Sequence, residues 1–259
     1  MLTFHTIDPV ALSMGSVKIH WYGIMYLIAF ASAWALARWR AGQPNSGWNA
    51  EQVADVIFFG AVGVILGGRI GYMLFYNFAA LLENPLALFK LWEGGMSFHG
   101  GLLGVLLAMF LYGRKVQKSF FEITDFIAPL VPVGLGAGRM GNFINGELWG
   151  RITDVPWAML YPRGGNLPRH PSELYEFFLE GIVLFIILWV YSAKPKPRMA
   201  VSGVFLVGYG ILRSIAECFR EPDAHLGFLA FDSLTMGQLL SFPMIVLGGF
   251  LLWRAYCKK

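Results

Sequence analysis

Three arginines lie inside stretches that are otherwise apolar, Arg69 on the second expected span and, beside polar residues that could join them in chemistry, Arg139 and Arg213. An arginine there costs roughly 2.5–3.5 kcal/mol on insertion scales, so it is kept where it meets an anion or a ligand. Arg139 is set in a glycine-dense run, residues 129–150, PLVPVGLGAGRMGNFINGELWG. Asn142 follows it three residues on, on the same helical face, with Asn145 and Glu147 just beyond. Arg213 stands with Tyr209 and Glu217 at i, i+4 and i+8, one stripe of a helix. The guanidinium fork grips phosphate oxygens at two points, so two such arginines near one site suit a phosphate-bearing ligand. His99, flanked by Gly94-Gly95 and Gly100-Gly101, sits in a more glycine-rich setting than His5, His20, His170 or His225. An imidazole, with an unperturbed pKa of about 6.5, suits a proton acceptor.

Each of these residues also has a plainer reading. Arg139 can anchor a span end by snorkelling. Arg213 and Glu217 can neutralise each other within one helix. His99 can be a hydrogen-bonded interfacial residue. Glu147 can serve as a helix cap, and Glu173 and Glu176 as acidic charges at the start of a span. Tyr22, Trp21, Trp149 and Trp157 suit an aromatic belt. Other chemistry is excluded more firmly. Gly136 to Gly141 fits G-x-G-x-x-G, but that fingerprint needs a preceding strand and a βαβ frame; here Pro132 and membrane spans flank it. No G-x-S-x-G elbow occurs. The two cysteines, Cys218 and Cys257, fall on opposite sides of a span and form no disulfide framework, and no Cys/His cluster has zinc spacing, so no metal or cofactor is expected.

The elements that carry these residues are apolar. Of 259 residues 56% are hydrophobic and 14% charged, against about 25% charged in soluble domains, and the apolar residues come in long uncharged runs. The fold class is therefore an all-α polytopic membrane protein of about seven transmembrane helices, near residues 19–37, 53–78, 97–112, a short span from about 126, 174–191, 201–218 and 234–253. Gly63, Gly67 and Gly71 recur at the four-residue spacing that lets helices pack closely in lipid. Residues 1–259 form a single transmembrane domain, with interfacial segments at 1–18 and 77–97 and a small head insertion at 143–171. No basic n-region or cleavage site marks a removable signal peptide, so the first span is expected to be retained. Arg38, Arg40, Arg114, Lys115, Lys118, Lys194, Lys196, Arg198, Arg254, Lys258 and Lys259 crowd one set of short loops. Lys18, Lys90, Arg151, Arg163, Arg169 and Arg220 are spread over the other. The first set is cytoplasmic by the positive-inside rule, which puts the N-terminus outside and the C-terminus inside. The net charge of +4 reflects this topology rather than nucleic acid. The motifs near Tyr22, His99, Asn142, Glu217 and Arg220 then fall toward the outer side.

The string GRMGNFINGELWG, residues 138–150, resembles the signature of the prolipoprotein diacylglyceryl transferases of bacterial inner membranes. HWYG (20–23), GGMSFHGG (94–101), RHPSELYE (169–176) and YGILRSIAECFREPD (209–223) extend the resemblance, in family order, over nearly the whole chain. The resemblance implies transfer of the diacylglyceryl group of phosphatidylglycerol to the lipobox cysteine of a preprolipoprotein, giving a thioether and releasing glycerol phosphate. It implies a multi-pass protein of the bacterial inner membrane whose partners are phosphatidylglycerol, other membrane lipid and the lipobox signal peptide. Arg139 and Arg213 would bind the phosphate. Asn142, Glu147 and Gly150 belong to the signature, and Tyr22 and Glu217 match further family positions. His99 and Tyr209 are similar to the family's proton-handling residues, and which of them takes the thiol proton stays open. A transporter or flippase for an anionic lipid would use the same arginines without chemistry. It typically carries internal repeats, and the two halves show no convincing one.

Overall fold

Caps and charges set where the helices begin. Asn49 opens one of the longest with a reciprocal box: its Oδ1 accepts from Gln52 N at 2.8 Å, and Gln52 Oε1 accepts from Asn49 N at 3.2 Å. The computed structural model describes residues 2–15, 17–44, 46–222 and 234–257. Asn45 of the first loop, Asp223 at the end of the last motif, His225, and the loop charges Lys258 and Lys259 lie outside them, as do Met1 and Ser16 of the expected N-terminal segment.

In chain order the elements are β1 (Leu2–Thr3), β2 (Val10–Met14), β3 (Val17–His20), α1 (Trp21–Ala41), α2 (Ala50–Phe75), α3 (Phe78–Glu83), α4 (Phe98–Val116), α5 (Phe120–Ile127), α6 (Val131–Asn145), β4 (Met159–Leu160), α7 (Ser172–Glu176), α8 (Leu184–Tyr191), α9 (Ala200–Glu217) and α10 (Met236–Cys257). The protein is thus mostly helical rather than all-helical. Short strands form where backbone pairs locally (β2 with β3, antiparallel) or across the chain (β1 with β4, parallel). Among the described residues five helical stretches are long and apolar enough to cross a membrane: Ala50–Phe75, Phe120–Asn145, Ser172–Tyr191, Ala200–Glu217 and Met236–Cys257. Large apolar side chains such as Phe58, Leu66, Val190 and Phe242 are exposed on them, as on helices solvated by lipid. This is a multi-pass membrane protein.

The span expected to be short is not. Phe120–Asn145 is continuous because Pro129 and Pro132 sit in a 3₁₀ turn, Ala128–Leu130, and at the start of α6. A proline in a first helical turn removes no needed hydrogen bond, so it redirects the helix without ending it.

By backbone contacts the chain divides into two units, Leu36–Thr124 and Met1–Ala35 with Asp125–Lys259. In the first, α2 and α4 pack glycine on glycine. A Cβ at Gly71 would lie 2.8 Å from Gly100 Cα, and one at Gly67 the same distance from Gly104 Cα. Arg69, buried on α2, is satisfied by backbone carbonyls of Ala87 (2.6 Å), Leu88 (3.1 Å), Gly94 and Gly95 (3.3 Å). An embedded arginine with that many neutral acceptors needs no anion. In the second unit Ala128, Leu184, Leu188 and Val201 form a buried cluster, with Tyr209 packed against it. Asp125 Oδ2 accepts from Met199 N, and its Oδ1 from Ser202 N, each at 2.7 Å; Ser202 Oγ donates to Oδ1 at 2.6 Å. A carboxylate from α5 thereby caps the start of α9. Residues 146–171 carry no helix. Phe4 stacks on Tyr161 at 5.2 Å and meets Phe143 edge-on at 5.4 Å there.

Candidate functional site

The three stretches that converge in the larger unit are α6, the span from α7 to α8, and α9. Gly136 and Gly181 let the first two approach closely: a Cβ on either would come 3.2 or 2.9 Å from the other's Cα. The G-x-G-x-x-G run thus serves helix packing. Three residues beyond Gly136, Arg139 Nε reaches Glu176 Oε2 at 2.7 Å and Nη2 reaches Glu180 Oε2 at 3.4 Å. From α9, Arg213 Nη1 lies 2.9 Å from Glu176 Oε1 and 3.2 Å from Glu180 Oε1, and Nη2 donates to Glu217 Oε1. The Glu176 Oε1 contact is too oblique to count as a hydrogen bond. Arg220 Nη1 stands further back, 3.8 Å from Glu176 and 3.9 Å from Glu217. Thr235 Oγ1 donates to Glu217 Oε2 at 2.7 Å, just ahead of α10.

An embedded arginine calls for a compensating anion, and for Arg139 the sequence left both Glu147 and a lipid phosphate open. Glu147 does not pair with it. Its Oε1 accepts from Asn142 Nδ2 at 3.0 Å and Asn145 Nδ2 at 3.3 Å, in the turn where Gly146 adopts φ +60° and caps α6. Glu176 is likewise no solvated helix-start charge but is buried between arginines. Glu180 escaped the sequence reading altogether. Glu173, Glu176 and Glu180 recur at the spacing of one helical face in an apolar span, and the cost argument applied to the arginines would have found them. Arg213 and Glu217 do pair within α9, but Arg213 also reaches two carboxylates on another helix, so it is no self-contained pair.

The remaining residues of this unit fall around the ion lattice. The Tyr22 ring lies against Gly141, where a Cβ would meet its Cδ2 at 2.8 Å, and packs edge-on with Tyr26 at 5.3 Å. Tyr209, one helical turn before Arg213, stacks on Phe205 at 6.0 Å. Gly150 leaves no room for a side chain, since a Cβ would meet His170 Cβ at 2.7 Å and Phe219 O at 2.5 Å. Its N donates to His170 O at 2.8 Å and its O accepts from Arg169 Nη1 at 3.1 Å. Next to it, burial lowers the His170 imidazole pKa, and its Nδ1 meets Tyr175 Oη at 3.1 Å. Tyr161 is pushed well above the ordinary phenol range, first by burial and then by Glu173, to which it donates at 3.1 Å.

His99 belongs to the other unit. It lies in the first turn of α4, exposed, edge-on to Phe98 at 5.6 Å, with Ser97 Oγ capping that turn by accepting from Gly100 N at 3.2 Å. Among the described residues no group of three or more His, Cys, Asp or Glu is arranged to hold a metal ion.

Such an arrangement presents two guanidiniums from different helices, each oriented by carboxylates behind it. Chemically it can receive an anion in a setting of low dielectric and stabilise negative charge that develops there. Comparison with known proteins bears on which anion. The family model described as "Prolipoprotein diacylglyceryl transferase" matches residues 9–254. A Coxiella burnetii protein (strain RSA 331 / Henzerling II) named phosphatidylglycerol–prolipoprotein diacylglyceryl transferase is 59% identical over 259 residues, covering 100% of this chain and 99% of its own. A Legionella pneumophila protein (strain Lens) of the same name is 60% identical over 253 residues, covering 98% and 99%.

Proposed function

Because the chain belongs to the prolipoprotein diacylglyceryl transferase family, we propose that it transfers the diacylglyceryl group of phosphatidylglycerol to the lipobox cysteine of a preprolipoprotein. The sulfur–carbon bond forms as the bond from the glyceryl carbon to the phosphate oxygen breaks. The electron pair leaves with glycerol phosphate, and the thiol proton goes to a base. A free thiol has a pKa of about 8.5 and needs that base at neutral pH. His99 and Tyr209 are the two candidates for it. Arg139 and Arg213 hold the phosphate and take up the charge of the leaving group. Asn142 and Glu147, hydrogen-bonded to each other, shape the approach to Arg139, with Tyr22 beside them. Gly150 lets the chain pass close against His170 and Phe219, and Glu217 braces Arg213.

The reaction sets the location. One substrate is a lipid and the other a signal segment still in the bilayer, so the site opens to lipid in the outer half of a bacterial inner membrane. α1 and α4, 21 and 19 residues long, complete seven spans with the N-terminus outside and the C-terminus in the cytoplasm.

The observation that carries this reading is the pair of guanidiniums meeting at shared, buried carboxylates inside membrane spans. The test is direct. Purified protein in detergent is incubated with phosphatidylglycerol and a lipobox peptide, and the thioether product is sought by mass. Detergent abolishes transport, so product there requires chemistry. Folded protein that gives none overturns the assignment.

A further inference from the structure

We propose that Glu180 is a positioning residue for the phosphate-binding arginines, an inference that rests on the transferase reading above. Glu180 lies midway along the Ser172–Tyr191 span and is fully buried. A carboxylate so placed is expensive and must be compensated. Its two oxygens are divided between two helices, Oε2 to Arg139 Nη2 and Oε1 to Arg213 Nη1. Glu176 bridges the same two guanidiniums, through Arg139 Nε and Arg213 Nη1.

The doubling matters. A single bridging carboxylate fixes the separation of two guanidiniums but lets each plane swing about its contact. A second, meeting Arg139 at Nη2 rather than Nε, fixes the rotation as well. Exposure decides which partner meets the ligand. The Arg139 side chain keeps 18% of its surface, whereas Glu176 and Glu180 keep 1% and 0%. The anions are more deeply buried than the Arg139 cation, so Glu180 does not touch substrate and works through the groups it faces, the arginines foremost.

The backbone is built around this placement. Glu180 sits in a π-helical segment, Phe177–Val183. Such segments give up hydrogen-bond geometry and concentrate at functional sites. At Gly181, the next residue, α6 passes close, at Gly136. That approach brings the Glu180 carboxylate within reach of Arg139.

The test uses full-length protein in detergent with phosphatidylglycerol and a lipobox peptide. Glu180→Gln keeps the volume and removes the charge. If Glu180 orients the guanidiniums on the leaving phosphate, kcat per folded protein falls by roughly 10²-fold, the loss typical of a small misplacement. KM for phosphatidylglycerol does not rise, because both cations remain. In an Arg139→Lys background the same substitution costs less than in the wild type, since part of its effect runs through Arg139 and only the part through Arg213 remains. A purely structural role instead lowers the folded fraction, leaves kcat per folded protein unchanged and gives additive losses; either of the last two results overturns the proposal. If Glu180→Gln does not fold, Glu180→Asp keeps the charge and withdraws it by one methylene. It should show the same loss confined to kcat, and a wild-type kcat in folded Glu180→Asp overturns the proposal. Wild-type protein that makes no product overturns the transferase reading itself, a result distinct from an active enzyme indifferent to Glu180.

Discussion

Replacing Arg139 separates its two duties, gripping a ligand and balancing buried carboxylates. Arg139→Lys keeps one positive charge but offers a single ammonium where the guanidinium spans Glu176 at 2.7 Å and Glu180 at 3.4 Å. A lysine can hold one of them and has no planar edge left for a phosphate. Losing one donor to a developing oxyanion costs about 2.7–4 kcal/mol. With one donor compromised rather than deleted, the expected loss in kcat/KM is at least ~2–3 kcal/mol, or about 30–160-fold at 1.36 kcal/mol per tenfold. Arg139→Ala goes further. Two buried carboxylates lose a counter-charge, which costs about 3–5 kcal/mol for a broken buried pair. The lower end applies, because Arg213 still reaches both and Arg139 is partly exposed. At about 2–4 °C per kcal/mol, the unfolding midpoint should drop by roughly 6–12 °C. The assays are thioether formation at varied phosphatidylglycerol and thermal unfolding in detergent. A fully active Arg139→Lys enzyme refutes the two-point grip. A wild-type midpoint for Arg139→Ala refutes the view that Arg139 balances the lattice.

Three further outcomes are expected. His99→Gln should lower turnover by about 10²–10⁴-fold with lipid binding intact and recover in part at high pH, where the peptide thiol ionises unaided; a normal rate and pH profile would move the proton-accepting role to Tyr209 or water. Phosphatidylethanolamine, which adds a cation beside the phosphate, should be a poor donor in the same assay, and equal turnover of both lipids would count against an arginine pocket. Reporter fusions after Lys118 and at the C-terminus should both report cytoplasm; an external C-terminus breaks the seven-span arrangement.

What could be read from the sequence follows the range of each interaction. The fourth span apart, helix positions were legible to within a few residues, because charges, caps and turns such as Asn49 with Gln52 act locally. The glycine row on α2 was legible for the same reason, as a four-residue spacing. Arg139 and Arg213 stood out through their cost in an apolar run. Glu217 was legible as a partner of Arg213 four residues on, but the carboxylates the two arginines share were not, because Glu176 and Glu180 lie on another span, 41 residues from Arg139 in the case of Glu180. Glu147 was the near neighbour in sequence, but Asn142 and Asn145 claim it within one turn. The span from about 126 read as short because sequence alone does not show that Pro129 and Pro132 fall in a 3₁₀ turn and in the first turn of a resumed helix. The pairing of β1 with β4 joins segments far apart in the chain and leaves no local periodicity to read.

The Asp125 cap has a consequence for how the protein is made. Its donors, Met199 and Ser202, are 74 and 77 residues downstream. A ribosome releases the α5–α6 stretch well before it has synthesised either of them. During that interval the carboxylate has none of its final donors, so it must be held by water or by the insertion apparatus at the edge of the bilayer. The earlier helix therefore cannot settle until the later one arrives. A chain truncated before α9 should be recognised as unfinished by membrane quality control even though each of its apolar segments is intact.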